Sequence, residues 1–198
     1  MPPEPRLLLV DNQRSRPPLA LRRALDERGA GWVEVRYDAL GGAAGERYDG
    51  VVLSGTGVSP HDAPQLYGDE MALVRTTPRP LLAICGGFQV VCLAYGGELA
   101  PVEPIYGRTP VERSADDEIF AGLPRRFTAF SKHRFGVRSA GDELTPLATH
   151  ASGLVYAARH PRRPLWGVQF HPERRQQGAR VLDNFLAAVC QDHRREAS

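Results

Sequence analysis

The chain has 198 residues, 42% of them hydrophobic and 24% charged, with a formal net charge of +2. These proportions belong to an ordinary globular protein with room for one well-buried core, and they argue against a nucleic-acid-binding or membrane-coating surface. Cys85, Cys92 and Cys190 show no Cys-x-x-Cys spacing, which disfavours a disulfide framework or structural zinc site and predicts a reducing, cytoplasmic setting without metal.

No apolar run approaches bilayer-spanning length, and Met1-Pro2-Pro3-Glu4-Pro5 lacks the basic and apolar regions of a secretory signal. The run Arg6 to Val10 reads as a central strand opening into a loop at Asp11-Asn12. Pro17-Pro18 then starts a helix with an apolar stripe at Leu19, Leu21, Ala24 and Leu25, stopped at Gly29 and Gly31. Trp32 to Tyr37 alternates like a strand, Leu40 to Gly45 reads as a Gly/Ala-rich loop, and Tyr48 to Leu53 reads as a buried strand. This is the opening of a parallel α/β sheet.

The small-residue loop Ser54-Gly55-Thr56-Gly57-Val58-Ser59-Pro60 follows, at the carboxyl edge where open α/β sheets bind ligands. It suits a flexible turn or one half of an oxyanion hole; a phosphate cradle is disfavoured, since no GxGxxG or Walker pattern is present. A helix is predicted from Gln65 to Arg75, then a short apolar strand from Leu81 to Ile84.

That strand stops at Cys85-Gly86-Gly87, after which Phe88, Val91, Cys92 and Tyr95 recur at helical spacing as far as Gly96-Gly97. A residue on such a strand-to-helix turn is held exposed, and a cysteine there gains from the free N–H groups of the helix start. Cys85 is therefore either a nucleophile or a small buried core residue.

Beyond Gly97, short apolar runs in Leu99 to Glu112 and Arg126 to Val137 alternate with proline, glycine and acidic residues, and Ser114 to Glu118 reads as a solvated loop. Leu154 to Ala158 and Leu165 to Phe170 read as further strands, giving antiparallel additions at one edge of the sheet within a single domain, 1–198. A final helix is expected from Gln177 to Val189, followed by a polar, fraying tail.

The last strand ends in His171-Pro172-Glu173. This is either a surface turn or a base with the carboxylate that orients it; with the elbow cysteine it makes a candidate Cys-His-Glu triad.

The elbow Ala83-Ile84-Cys85-Gly86-Gly87-Phe88-Gln89 and the run Gly167-Val168-Gln169-Phe170-His171-Pro172-Glu173 together resemble the two motifs of class I, triad-type glutamine amidotransferases. The likeness extends over nearly the whole chain, including Asp11-Asn12, Tyr106-Gly107-Arg108-Thr109, Ile119 to Pro124 and Asn184-Phe185-Leu186, and is greatest to the glutaminase subunits of anthranilate and aminodeoxychorismate synthases.

The resemblance implies an α/β, three-layer flavodoxin-like sandwich. It makes Cys85 the nucleophile on the amide of L-glutamine, His171 the base and then acid, and Glu173 its orienter. A thioester would release ammonia, and water would then give glutamate. Backbone N–H groups at Gly57, Val58 and Gly86 would hold the oxyanion, and Gln89, His133, Arg134 and Phe135 would lie around bound glutamine, with His133 alternatively packing beneath its loop. No cofactor is implied.

The expected partner is a synthase on a separate chain that receives the ammonia. A chorismate-derived acceptor comes first and a two-chain GMP synthetase second; the other readings are a stand-alone γ-glutamyl hydrolase and a weakly active regulatory subunit. The chain departs from the family pattern at Ala83, where glycine is usual, in the loop Ser54 to Pro60, which lacks the Gly-Pro-Gly core, at Arg134, where the chorismate-linked subunits have serine, and at Gln13-Arg14-Ser15-Arg16.

Overall fold

A computed structural model describes residues 5–45 and 47–196; the reading of Met1 to Glu4 lies outside the described residues. The first strand, β1 (Arg6–Asp11), has Leu7 to Val10 almost wholly buried, as a strand covered on both faces should be. It pairs in parallel with β2 (Gly31–Arg36) on one side and β3 (Gly50–Leu53) on the other. Next to β3 lies β4 (Leu81–Ile84), and next to β4 lies β9 (Leu165–Val168), both added in parallel.

Alternate residues of these strands feed different cores. Leu7, Leu9, Val52, Leu82 and Trp166 join Leu21 and Leu25 of α1 (Leu19–Asp26) and Val181, Phe185 and Val189 of α4 (Arg180–Glu196). On the opposite face, Leu8, Val10, Val51, Leu53 and Ala83 join Val74 of α2 (Gly68–Thr76) and Phe88 and Val91 of α3 (Gly86–Ala94). Helix α1 stops as its sequence predicts: Gly29 adopts φ 67°, and the N–H of Ala30 returns to the carbonyl of Leu25 at 3.1 Å.

The antiparallel half departs from expectation. The short runs after Gly97 belong to two long strands, β5 (Glu98–Arg113) and β6 (Arg126–Ser139), paired along most of their length. Thr145–Thr149 forms a strand, β7, that the sequence reading did not anticipate, and Val155–Arg159 forms β8. Strand β8 pairs with β9 and touches β6, while β7 pairs with both β8 and the end of β5.

The additions at one edge therefore close on themselves as β8-β6-β5-β7, and the flavodoxin-like expectation describes only the parallel half. Register breaks at Pro101/Ile105 and within β7 bend the strands enough to close the ring. Val111, Phe127, Ala129, Leu147, Ala148 and Tyr156 fill this region and continue the core that α4 covers.

Local corrections follow the same logic. The loop expected at Leu40 to Gly45 is part of a 3-10 segment, Tyr37–Gly45, and 3-10 turns at Pro64–Tyr67 and Gln177–Ala179 precede α2 and α4. Helix α4 continues to Glu196 instead of fraying after Val189. Asp117, read as part of a solvated loop, has a side chain only 2% exposed; it accepts from Arg159 Nη1 at 2.7 Å and Trp166 Nε1 at 3.0 Å. Among the described residues no helix is long and apolar enough to cross a membrane.

Candidate active site

Strand β4 delivers Cys85 to the first turn of α3. Cys85 has φ 53° and ψ −106°, the one positive φ outside glycine among the described residues. A non-glycine residue held there stores about 1–3 kcal/mol of strain, so its surroundings must over-determine it. The N–H of Cys85 donates to Val168 on β9 at 2.8 Å, and its carbonyl receives the N–H of Gln89 at 3.1 Å. A Cβ on Gly86 would fall 2.1 Å from Thr56 Oγ1, and one on Gly87 2.9 Å from the backbone of Leu53 and Ser54. Only glycine lets this turn sit so close to the end of β3. Ala83, the departure one step before the elbow, is fully buried against α3 and fits without disruption.

Strand β9 delivers the other half. Past its end the N–H of Gln169 donates to Tyr156 at 2.9 Å and that of His171 to Phe130 at 2.8 Å, which fixes the direction of the turn. His171 Nδ1 and Glu173 Oε1 are 2.7 Å apart. The buried Nε2 of His171 has no hydrogen-bond partner among the described residues. A Cβ placed on Gly55 would lie 3.4 Å from His171 Cε1 and 3.6 Å from Cys85 Cβ, so imidazole and thiol flank the same point. Burial alone would push the imidazole toward neutrality, yet the negative charges of Cys85 and Glu173 on either side hold it well above its ordinary value. The geometry suits proton transfer from thiol to imidazole with Glu173 holding the ring.

The loop after β3 differs from expectation in one donor. The N–H of Gly57 donates to the carbonyl of Asn12 at 2.8 Å and in this structure points away from Cys85's oxyanion side. The carbonyl of Val58 accepts from the Tyr67 hydroxyl at 2.6 Å. Gly86, the first residue of α3, keeps an N–H with no acceptor in its own helix. Beneath the loop, Asn12 Nδ2 bridges the carbonyl of Ser54 at 3.1 Å and the wholly buried Glu70 at 2.9 Å. Burial pushes the Glu70 carboxyl up to about 8, against a weaker opposing effect of the Asn12 hydrogen bond.

A cavity of about 370 Å³ opens beside Cys85 and Gly86. Gln89, His133, Arg134 and Phe135 all line it, together with Thr56, Tyr106 and Lys132, to which the sequence reading gave no glutamine-binding role. Phe135 stacks on His61 at 4.7 Å between centroids, and the Arg134 guanidinium lies 5.8 Å over its ring. His133 is locked: burial lowers it to about 4, so it is neutral, its Nδ1–H donating to the Phe135 carbonyl at 2.9 Å and its Nε2 accepting from Tyr156 at 3.0 Å. On the other side of Cys85 a second cavity of about 330 Å³ is lined by His171, Glu173, Arg174, Arg16 and Leu19. Among the described residues no cluster of His, Cys, Asp and Glu could hold a metal ion.

An α/β sheet that presents a cysteine on a strained elbow, next to a paired histidine and carboxylate, defines a cysteine-nucleophile acyl-transfer or hydrolytic enzyme. The profile of glutamine amidotransferase class-I matches residues 8–189, and the chain belongs to that family.

Similar proteins include a glutamine-hydrolyzing GMP synthase subunit of Methanothermobacter thermautotrophicus, 40% identical over 56% of this chain and 61% of that protein. The aminodeoxychorismate synthase of Streptomyces griseus is 38% identical over 71% of this chain. The chain thus spans about 61% and 20% of the lengths of these two relatives. A crystal structure of a Thermoplasma acidophilum protein, provisionally described as a GMP synthase subunit, superposes with a TM-score of 0.88 at 26% identity, covering 99% of both chains.

Proposed function

We propose that this chain is the glutaminase component of a two-protein amidotransferase. The observation that carries the proposal is the strained Cys85 set between the His171–Glu173 pair on one side and a cavity lined by Gln89 and Arg134 on the other. L-glutamine enters that cavity, its carboxylate toward the fixed positive charge of Arg134 and its side-chain amide toward Cys85.

His171 takes the thiol proton and the thiolate adds to the amide carbon. The Gly86 N–H faces the resulting oxyanion; a donor of this kind is typically worth about 3 kcal/mol. His171 returns the proton to the departing ammonia, leaving a glutamyl thioester. Water, deprotonated by His171, then releases glutamate and restores the thiol. None of these steps calls on a cofactor. The three free cysteines, Cys85, Cys92 and Cys190, fit a reducing, cytoplasmic setting.

The ammonia passes to a synthase on another chain, and a GMP synthase-type partner is favoured over the chorismate-derived acceptor expected from the sequence. The relatives described as GMP synthase subunits support this, one of them over 99% of both chains in structure, whereas the aminodeoxychorismate synthase relative is matched over only 20% of its length. Exposed Tyr106 and Leu19, at 77% and 62%, flank the two openings to Cys85 and give a partner apolar surface to cover.

The test measures glutamate release alone and with candidate partners, for the native chain and for Cys85→Ser. The expected result is turnover raised by the GMP synthase-type partner and lost on substitution, with the fold intact. Full activity in Cys85→Ser would refute the nucleophile, and stimulation by a chorismate-binding synthase instead would refute the acceptor.

A further inference from the structure

Gln169 is completely buried between the two halves of the site, and neither the triad nor the glutamine cavity accounts for it. Its Nε2 lies 3.7 Å from Cys85 Sγ, and its Oε1 lies 3.2 Å from Gln89 Nε2. Gln89 Nε2 in turn lies 2.8 Å from the carbonyl oxygen of Phe135.

One backbone group fixes the polarity of this chain. A carbonyl oxygen only accepts, so Gln89 must turn its NH₂ toward Phe135. The second hydrogen of that NH₂ then meets Gln169, which must answer with its oxygen. The nitrogen of Gln169 is thereby left facing the sulfur. On its other side, Sγ is 3.7 Å from the carbonyl of Lys132, an acceptor that suits the thiol and not the thiolate.

We infer that Gln169 is a positioning residue that donates its amide N–H to the Cys85 thiolate, in an orientation imposed through Gln89 by the backbone at Phe135. The sulfur then has the Lys132 carbonyl as acceptor for S–H, and Gln169 beside His171 as donor to S⁻. Because Lys132 and Phe135 belong to one short stretch of β6 lining the glutamine cavity, the same backbone that meets the substrate also aims the nucleophile. The inference rests on Cys85 as nucleophile, and its test is chosen to separate the two.

Gln169→Glu keeps the size of the side chain and its acceptor for Gln89 but replaces the N–H facing sulfur with oxygen; Gln169→Met removes the donor without adding charge. Alkylation by iodoacetamide, followed peptide by peptide with mass spectrometry, reads thiol reactivity without glutamine, and half-buried Cys190 serves as the internal control. Loss of a hydrogen bond to a charged group predicts Cys85 alkylation and glutaminase kcat both slower by about 10- to 100-fold in Gln169→Glu. The KM for glutamine should stay within about threefold, because a residue acting on the nucleophile is felt in kcat. Should Gln169→Glu fail to fold, as a changed Cys190 rate would reveal, Gln169→Met carries the same expectation. Alkylation and kcat within about twofold of the native chain, or a loss confined to KM, would overturn the inference. If native Cys85 reacts no faster than Cys190, it is the nucleophile itself that fails.

Discussion

The backbone N–H of Gly57 points at the carbonyl of Asn12, 2.8 Å away, and ties the loop after β3 to the end of β1. The same loop supplies Thr56, Gly57 and Ser59 to the wall of the cavity beside Cys85. A Cβ on Gly57 would fall 2.8 Å from the backbone nitrogen of Arg14, so Gly57→Ala must push the loop away from β1. The expected outcome is a kcat/KM for glutamine lower by about tenfold with a stability loss of about 1–3 kcal/mol. Steady-state kinetics and thermal unfolding of the variant check both.

Glu173→Gln keeps an acceptor for His171 Nδ1–H and removes the charge. Activity is expected to fall by roughly 10²- to 10⁴-fold in kcat, since the imidazolium formed in the first step loses its counter-charge. Stability carries the same signature. His171 is held above its ordinary value of 6.5, so the folded chain keeps a proton that the unfolded chain releases. This contribution is present in full below 6.5 and lost as pH rises through the raised value. Unfolding free energies of the native chain and Glu173→Gln across that range should converge at high pH and separate at low pH.

Glu70 gives the same trend from a different cause, burial without a counter-charge. Its folded value of about 8 against an ordinary 4.5 means that the unfolded chain loses this proton first as pH rises, so stability falls through that window. The groups facing it are Asn12, which donates to it, and the Tyr67 hydroxyl, whose own ionisation burial suppresses. Glu70→Gln should match the native chain below pH 4.5 and exceed it above pH 8 by a few kcal/mol, at about 1.36 kcal/mol per pH unit of displacement. Denaturant unfolding at both pH values measures the difference.

Gly167 lies under the ring of Phe88, and a Cβ there would come within 2.1 Å of Phe88 Cδ2. Phe88 is fully buried and has nowhere to swing. Gly167→Ala is expected to lower stability by about 1–3 kcal/mol and to reduce kcat, because β9 carries the carbonyl of Val168 that holds the Cys85 turn. Adding Phe88→Leu should restore part of both losses, a coupling that a double-mutant cycle reads directly.

What the sequence made legible follows from what it encodes locally. The continuous apolar runs Leu7 to Val10 and Leu81 to Ile84 have no other economical reading than buried strands, and Cys85-Gly86-Gly87 marks its own turn. The ring of β5 to β8 was not legible, because β7 offers only Leu147 and Ala148 as inward residues and a proline between its ends. Its existence is decided by pairing partners far along the chain. The direction of the Gly57 N–H was not legible for a related reason: which way a peptide N–H points is set by its acceptor, here Asn12, 45 residues earlier by number (57 − 12). Gln169 stands inside a motif that the sequence shows plainly, yet no local pattern announces that its nitrogen will face a sulfur.

Strand β9 is the seam of the molecule, parallel to β4 on one side and antiparallel to β8 on the other. Cys85 hangs from it through the carbonyl of Val168, and His171 follows three residues further along the same chain (171 − 168). Cys85 and His171 are thus both tied to the strand that joins the parallel and antiparallel halves of the sheet. A partner that changes the rate of this enzyme has therefore to act on the cavity walls, the loop Ser54 to Pro60 and the stretch Lys132 to Phe135, like fingers on the stops of an instrument whose string is already taut.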